Sequence, residues 1–129
     1  MKPTVHLLIS ALLCIPLYIF YGPWSLLFLA GGVLIDIDHY IFYVVKKKDF
    51  SIKRMYDYCI DSTYNHIFCI FHNIEFVTLL LIISVIIPLF SMLTAGVIIH
   101  LIIDLISVYY KGRLRKEIRA FSLIARTIK

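Results

Sequence analysis

Four long apolar stretches constrain the fold of this chain more than any other feature. They cover positions 5–21, 24–45, 70–87 and 93–110, and each is near the length of about 20 residues that crosses a bilayer as an α-helix. With 61% hydrophobic residues among 129, so small a chain cannot bury its apolar surface in a soluble core. We therefore predict an all-α, polytopic membrane helix bundle with about four transmembrane helices, forming a single domain over residues 1–129.

One turn signal separates the first stretch from the second, and another separates the third from the fourth. Gly22-Pro23 ends the first, and Pro88 ends the third, because proline removes an amide donor and disrupts a continuing helix. Lys2 followed by an apolar run is also typical of a secretory signal, but no small-x-small cleavage site follows. The first stretch is therefore expected to remain as a transmembrane helix.

The distribution of positive charge predicts the topology. All 13 Lys and Arg residues lie at Lys2, between Lys46 and Arg54, or from Lys111 onward, and neither short turn carries a charged residue. The positive-inside rule then places both termini and the loop 46–69 in the cytoplasm, as in a multi-pass protein of the cytoplasmic (inner) membrane. Because the charge is distributed in this way, we expect membrane lipids as partners and no nucleic acid, despite a net charge of +5.

Two segments outside the apolar stretches are expected to lie on the cytoplasmic membrane surface. The loop 46–69 mixes charged, aromatic and aliphatic residues and is expected to be partly helical. The basic tail 111–129 alternates cations with apolar residues, a pattern typical of an amphipathic helix on anionic lipid; these apolar residues are Leu114, Ile118, Phe121, Ala125 and Ile128.

Ionisable residues inside the apolar stretches are the strongest functional signal. Asp36, Asp38 and His39 lie in the second stretch, and His100 and Asp104 lie in the fourth. Each charge at the centre of a membrane helix costs roughly 2.5–3.5 kcal/mol on insertion scales, so these groups require partners.

Helical spacing supplies such partners. His100 and Asp104 are i, i+4 and share a face, and Asp36 and His39 are i, i+3. On a regular helix Asp38 points about 200° away from Asp36, which favours a supporting role or a contact with a lysine.

The other two predicted helices add histidines of their own. His72 and Glu75 are i, i+3 at the start of the third, and His6 with Ser10 forms a polar seam on the first. In the predicted topology all four stripes lie in the cytoplasmic halves of their helices, where they could line one pocket.

Imidazole and carboxylate groups together suit a divalent metal such as zinc, with manganese or iron as alternatives. Three cysteines without C-x-x-C spacing argue against a disulfide framework and against a structural thiolate zinc site. Glu75 and Asp38 are candidate general bases. The predicted metal ligands are His6, Asp36, His39, His72, His100 and Asp104.

The same residues carry a resemblance to a family. Gly31-Gly32-Val-Leu-Ile-Asp36-Ile-Asp38-His39 resembles the Gly-x-x-x-Pro-Asp-x-Asp-His stretch of the YdjM-type membrane-bound, metal-dependent hydrolases. His6 resembles the N-terminal Thr-His of that family, and His100-Leu-Ile-Ile-Asp104 resembles its His-x-x-x-Asp in the last helix. The resemblance implies a metal site and, through it, hydrolase activity.

The sequence departs from the family pattern at several positions. Ile35 stands in place of the proline, and Val5 in place of the threonine. The family motif His-Arg-x-x-Thr-His-Ser is only loosely matched by Asn65-His66 and Phe71-His72-Asn73. The resemblance is therefore weakest for the third helix.

We predict a membrane-embedded metal-dependent hydrolase that acts at the cytoplasmic face on a phosphoester or a lipid headgroup. The alternatives are a carrier of protons or metal ions, a non-catalytic protein with a buried His/Asp network, and a haem-binding bundle. Carboxylates beside each histidine argue against haem. His66, Asp57 and Asp61 are expected to be solvated surface residues.

Overall fold

The computed structural model describes residues 3–61, 70–114 and 121–127, and within these ranges the chain is helical with no β-strand. The first half contains α1 (Pro3–Tyr21), a 3-10 turn (Gly22–Trp24), α2 (Ser25–Leu34), α3 (Ile37–Lys47) and α4 (Ile52–Asp61). The second half contains α5 (Ile74–Ile86), α6 (Phe90–Tyr110) and a short α7 (Leu123–Thr127). The all-helical fold is as predicted.

The helices are arranged around α2 and α6, which pack against each other. The first helix, α1, packs against α2 and also touches α6, and α5 packs against α6. The fourth helix, α4, folds back onto α3. This arrangement brings the N-terminal helix and the longest C-terminal helix to the same centre.

Polar side chains are buried in this fold, whereas many large apolar side chains face outward. His6, Ser10, His100 and Asp104 are each at most 1% exposed. Exposed aliphatic and aromatic side chains lie along α1, α2, α3, α5 and α6, and include Phe20 at 79% exposed. In water this pattern would be costly, whereas in lipid it is expected, because buried polar groups of a membrane bundle partner one another.

By length and hydropathy, two stretches of the described chain could cross a membrane, fewer than the four that were predicted. The first, Thr4–Lys47, is 44 residues long and includes both the first and the second predicted segments. Within it, the 3-10 turn at Gly22–Trp24 separates α1 from α2, and a break at 35–36 separates α2 from α3. The second is Phe90–Tyr110.

The third predicted segment, 70–87, is shorter in the structure. It forms α5 over Ile74–Ile86, which is apolar but only 13 residues long. The physical reason is that the chain turns at His72, where side-chain contacts to the polar cluster replace the first helical turn.

Glycines allow α2 and α6 to approach closely. A Cβ on Gly31 would overlap the carbonyl oxygen of Leu93, and a Cβ on Gly96 would overlap that of Phe28. Close crossing at small residues is typical of helix packing in membranes. It brings the backbone of α2 within reach of side chains on α6.

The second predicted helix, 24–45, is interrupted between α2 and α3. The Asp36 amide donates to the Val33 carbonyl at 3.3 Å, and the His39 amide donates to the Asp36 carbonyl at 3.1 Å. These i to i+3 bonds are 3-10 bonds, which advance the chain by roughly 120° per residue instead of 100°. The angle of about 200° expected on a regular helix is roughly 160° when it is measured the shorter way around the axis. The 3-10 bonds reduce this shorter angle to about 120°, so both side chains can face one cluster.

The two predicted surface segments are only partly described. In the loop 46–69, α4 provides the expected helical part, and residues 62–69, with His66, lie outside the described residues. In the tail 111–129, residues 115–120 and 128–129 lie outside them as well. The exposed position of Asp57 agrees with its predicted place on the surface.

Candidate metal centre

Four side-chain atoms from four parts of the chain converge at the centre of the bundle. They are Asp36 Oδ1 from the α2–α3 break, His72 Nε2 from the turn before α5, and His100 Nε2 and Asp104 Oδ2 from α6. We call these the inner atoms. The two histidine nitrogens are 3.2 Å apart, and Asp36 Oδ1 is 3.5 Å from each of them. Asp104 Oδ2 is 3.6 Å from His100 Nε2 and 3.9 Å from His72 Nε2.

The outward nitrogen of each inner histidine is held by a hydrogen bond. His100 Nδ1 donates to the carbonyl of Gly32 at 2.8 Å, across the close α2–α6 crossing. His72 Nδ1 lies 3.1 Å from Asp38 Oδ2 and donates to that carboxylate. Because a carbonyl or carboxylate can only accept, the proton of each neutral ring is on Nδ1, and the lone pair of Nε2 points inward.

Asp38 organises this side of the cluster. Its carboxylate accepts from the Phe71 amide at 3.0 Å and from His72, and it also contacts His39 Nδ1 at 3.0 Å. It therefore ties the turn before α5 to the start of α3. These contacts favour the supporting role expected for Asp38 over the alternative contact with a lysine.

His6 supports the opposite side. Its Nε2 is 3.1 Å from Asp104 Oδ1, the carboxylate oxygen that is not an inner atom. Its ring stacks on that of His100, with ring centroids 3.8 Å apart and an interplanar angle of 15°. Both contacts fix side chains of α6 from α1.

His39 lies at the edge of the cluster, with Nδ1 3.6 Å from Asp36 Oδ1. This edge is also where the cluster reaches its surroundings. The side chains of Asp36 and His39 are 23% and 11% exposed, whereas those of His6, His72, His100 and Asp104 are at most 3% exposed. A small molecule would approach from the side of Asp36.

Glu75 is not part of the cluster. Its carboxylate accepts from the Ser122 hydroxyl at 2.5 Å and from the amides of Leu123 and Ile124 at 3.1 Å each. It thus holds the start of α7 against the start of α5. This position does not favour the predicted general-base role of Glu75, which stays a prediction, as does that of Asp38.

The structure brings all six predicted metal ligands together with Asp38. Their donor atoms form three overlapping groups of three in which every atom lies within 4.8 Å of the others; these groups are His6, Asp36 and His100; Asp36, His39 and His72; and His72, His100 and Asp104. Sequence reasoning missed the Gly32 carbonyl and the Phe71 amide, because backbone groups leave no signature in residue type. In the sequence, Gly32 itself was the available sign, because a glycine permits another helix to approach the backbone closely.

The spacing of the inner atoms fits a metal ion. Zinc bonds of 2.0–2.1 Å at tetrahedral angles separate two ligand atoms by roughly 3.3 Å, and the five separations given above range from 3.2 to 3.9 Å. Four of the five exceed 3.2 Å, which is longer than ordinary N–H···O hydrogen bonds, whereas the outward contacts of 2.8–3.1 Å are ordinary hydrogen bonds. The donor set could therefore hold a metal ion, whose identity these distances leave open.

Comparison of the chain with protein-family models, with curated proteins and with solved structures gave no significant match.

Proposed function

We propose that this chain is a multi-pass membrane protein of four helical segments that binds a divalent metal and hydrolyses an ester at the cytoplasmic face. The carrying observation is the contrast between inner and outward distances at the cluster. Nitrogens that face outward are at hydrogen-bond distance from their acceptors, and atoms that face inward are mostly spaced as ligands of one ion. The resemblance to the YdjM-type family supports the same proposal.

In this proposal Asp36, His72, His100 and Asp104 would hold the ion, and zinc is the preferred candidate because two imidazoles and two carboxylates suit it. Catalysis would also need a position for water on the ion, and the exposed side at Asp36 is where water could reach it. A divalent ion at this position would supply Lewis-acid chemistry and make water acidic enough to lose a proton near neutral pH. The other residues of the cluster would orient these ligands. Asp38 fixes the ring of His72, which keeps its Nε2 lone pair directed inward.

The open edge at Asp36 decides how a substrate reaches the cluster. Since the side chains of His72, His100 and Asp104 are at most 3% exposed, a phosphoester or another ester would enter beside the more exposed Asp36 and His39. In the topology predicted from charge, this edge is reached from the cytoplasm or from the headgroup region. A lipid headgroup ester is the substrate class that this position favours.

The first test is elemental analysis of protein purified without chelator, with zinc, manganese and iron measured together. We expect close to one equivalent of a divalent metal, and a content below about 0.2 equivalents would refute the proposal. Hydrolysis of bis(p-nitrophenyl) phosphate should then disappear with chelator and return with metal. Asp36→Asn should lack both the metal and the activity.

The proposed topology has a separate test. Single cysteines are introduced at Gly22 and Lys47 in a variant without native cysteines, and intact cells are treated with an impermeant thiol reagent. We expect labelling at position 22 and protection at position 47. Labelling at position 47 would place this loop outside the cell and would contradict the proposed four-segment topology.

A carrier is the second candidate, and one distance favours it. The 3.2 Å separation between His72 Nε2 and His100 Nε2 is short enough for the two rings to share a proton. Such a pair could pass a proton within the bilayer. Flux of protons or zinc into vesicles that contain the protein would support the carrier, and hydrolysis without flux would support the enzyme.

A further inference from the structure

The corner between α3 and α4, residues 46–54, is held rigidly at the end of the long apolar stretch. Lys48 ends α3 in the left-handed conformation at φ 52°, which turns the chain sharply. The next residue, Asp49, accepts from the Tyr43 hydroxyl at 2.6 Å and from two nitrogens of Arg54 at 2.6 and 2.7 Å. Tyr43 is on α3 and Arg54 on α4, so one carboxylate joins both helices.

Two further contacts fix the tip of the corner. The Tyr40 hydroxyl donates to the carbonyl of Phe50 at 3.1 Å, and the Ser51 amide donates to Asp49 at 3.0 Å. The backbone around Phe50 is therefore tied down from both sides. Its side chain nevertheless points away from the protein and is 75% exposed, and that of Ile52 is 69% exposed.

Positive charge surrounds these two apolar side chains. The corner contains five cationic residues and one anionic residue, and its single carboxylate is occupied by Arg54. Lys46 and Lys47 place their ammonium groups 5.9 and 5.4 Å from the centre of the Tyr58 ring, which holds them beside the corner. All five cationic side chains are exposed; they are Lys46, Lys47, Lys48, Lys53 and Arg54.

We propose that this corner binds anionic phospholipid, with Phe50 and Ile52 among the acyl chains and the lysines at the headgroups. The proposal rests on the membrane placement given under Proposed function and is independent of the metal. Charge complementarity identifies the partner, since the cytoplasmic leaflet is negatively charged. A soluble polyanion would use the lysines but would leave two large apolar side chains in water.

The test uses native mass spectrometry of the full chain in detergent, titrated with phosphatidylglycerol or phosphatidylcholine. A lysine near an anionic surface contributes ~1 kcal/mol, which is about fivefold in affinity. We therefore expect Lys53→Gln to weaken phosphatidylglycerol binding about fivefold and to leave phosphatidylcholine binding unchanged. Lys111→Gln removes an exposed lysine after α6 and measures separately how much the basic tail contributes to lipid binding. The control for this corner is Asp57→Asn, an exposed residue of α4 that is not a cation, which should not weaken phosphatidylglycerol binding.

Three outcomes would overturn the proposal. An unchanged phosphatidylglycerol affinity in Lys53→Gln would show that the lysines of this corner do not attract the lipid. An unchanged affinity in Phe50→Ser, which alters no charge, would remove the role of the apolar side chains. Displacement of the lipid by inorganic phosphate or a short oligonucleotide would identify a soluble anion as the ligand. Repeating the titration after chelator treatment separates this result from the fate of the metal proposal.

Discussion

Replacement of Asp38 by asparagine tests whether Asp38 would bind the metal itself or would only orient a residue that binds it. Asparagine keeps the size of the side chain but offers one acceptor oxygen and one NH2 donor. In the structure, one carboxylate oxygen faces His39 and the other faces both the Phe71 amide and His72. If the amide oxygen faces the Phe71 amide and His72, the NH2 group faces His39 Nδ1, which accepts only when the proton of that ring is on Nε2. In the other orientation the NH2 group faces two N–H donors, and the bond to His72 is lost.

The expected loss follows from these contacts. A hydrogen bond to a charged group contributes about 1.5–3 kcal/mol, and the loss of such a bond behind a metal-binding histidine typically lowers metal affinity 10–100-fold. Asp38→Asn should therefore bind one equivalent of metal with an affinity lower by about that factor. Asp36→Asn, which removes an inner atom, should retain almost none.

The assay is competition with a chelator of known affinity, followed by elemental analysis of the protein fraction. Asp57→Asn is the control, because that side chain is exposed on α4 and should leave affinity unchanged. Size-exclusion elution and helical circular dichroism confirm that each variant is folded. Complete loss of metal in Asp38→Asn, equal to that in Asp36→Asn, would make Asp38 a ligand and refute the reasoning.

Three further predictions test the surroundings of the cluster. Gly96→Ala should push α2 and α6 apart, costing about 1–3 kcal/mol and lowering the thermal midpoint and metal affinity together. Glu75→Gln should expose segment 121–127 to protease while metal content stays unchanged, because its contacts hold the tail. Arg54 holds the pKa of Asp49 below its ordinary value of 3.8, so the corner contact stabilises the fold above that pH. Protection of the corner amides from hydrogen exchange should accordingly be complete at pH 4 and decline progressively as the pH falls from 3.8 to the lowered pKa.

The convergence of the cluster could be predicted from the sequence because its members obey helical spacing. His100 and Asp104, one turn apart on α6, lie together as expected, and so do Asp36 and His39. Apolar surroundings made each of these residues stand out. In the proposed membrane placement, their shared location follows from the cost of leaving charged groups in lipid without partners.

Other features depended on irregular backbone that periodicity does not reveal. The predicted orientation of Asp38 assumed one continuous helix, and the 3-10 bonds at Asp36 turned it toward His72. The place of Glu75 depended on Ser122, which is 47 residues away in the chain, so no local pattern could indicate that contact. The shortness of α5 likewise follows from a turn that the apolar pattern does not mark.

The order in which the cluster residues occur along the chain has a consequence for biogenesis. His6 and Asp36 are synthesised long before His100 and Asp104, yet Asp104 is the partner of His6, and His100 is a neighbour of Asp36. In the proposed membrane placement, the earlier helices would carry their ionisable groups without these partners until α6 leaves the ribosome, at roughly 2.5–3.5 kcal/mol for each charge. Insertion of α6 supplies those partners at once. If the proposed membrane placement holds, the assembly of the polar cluster is completed only by α6, and a chain truncated before α6 should be recognised by membrane quality control and degraded.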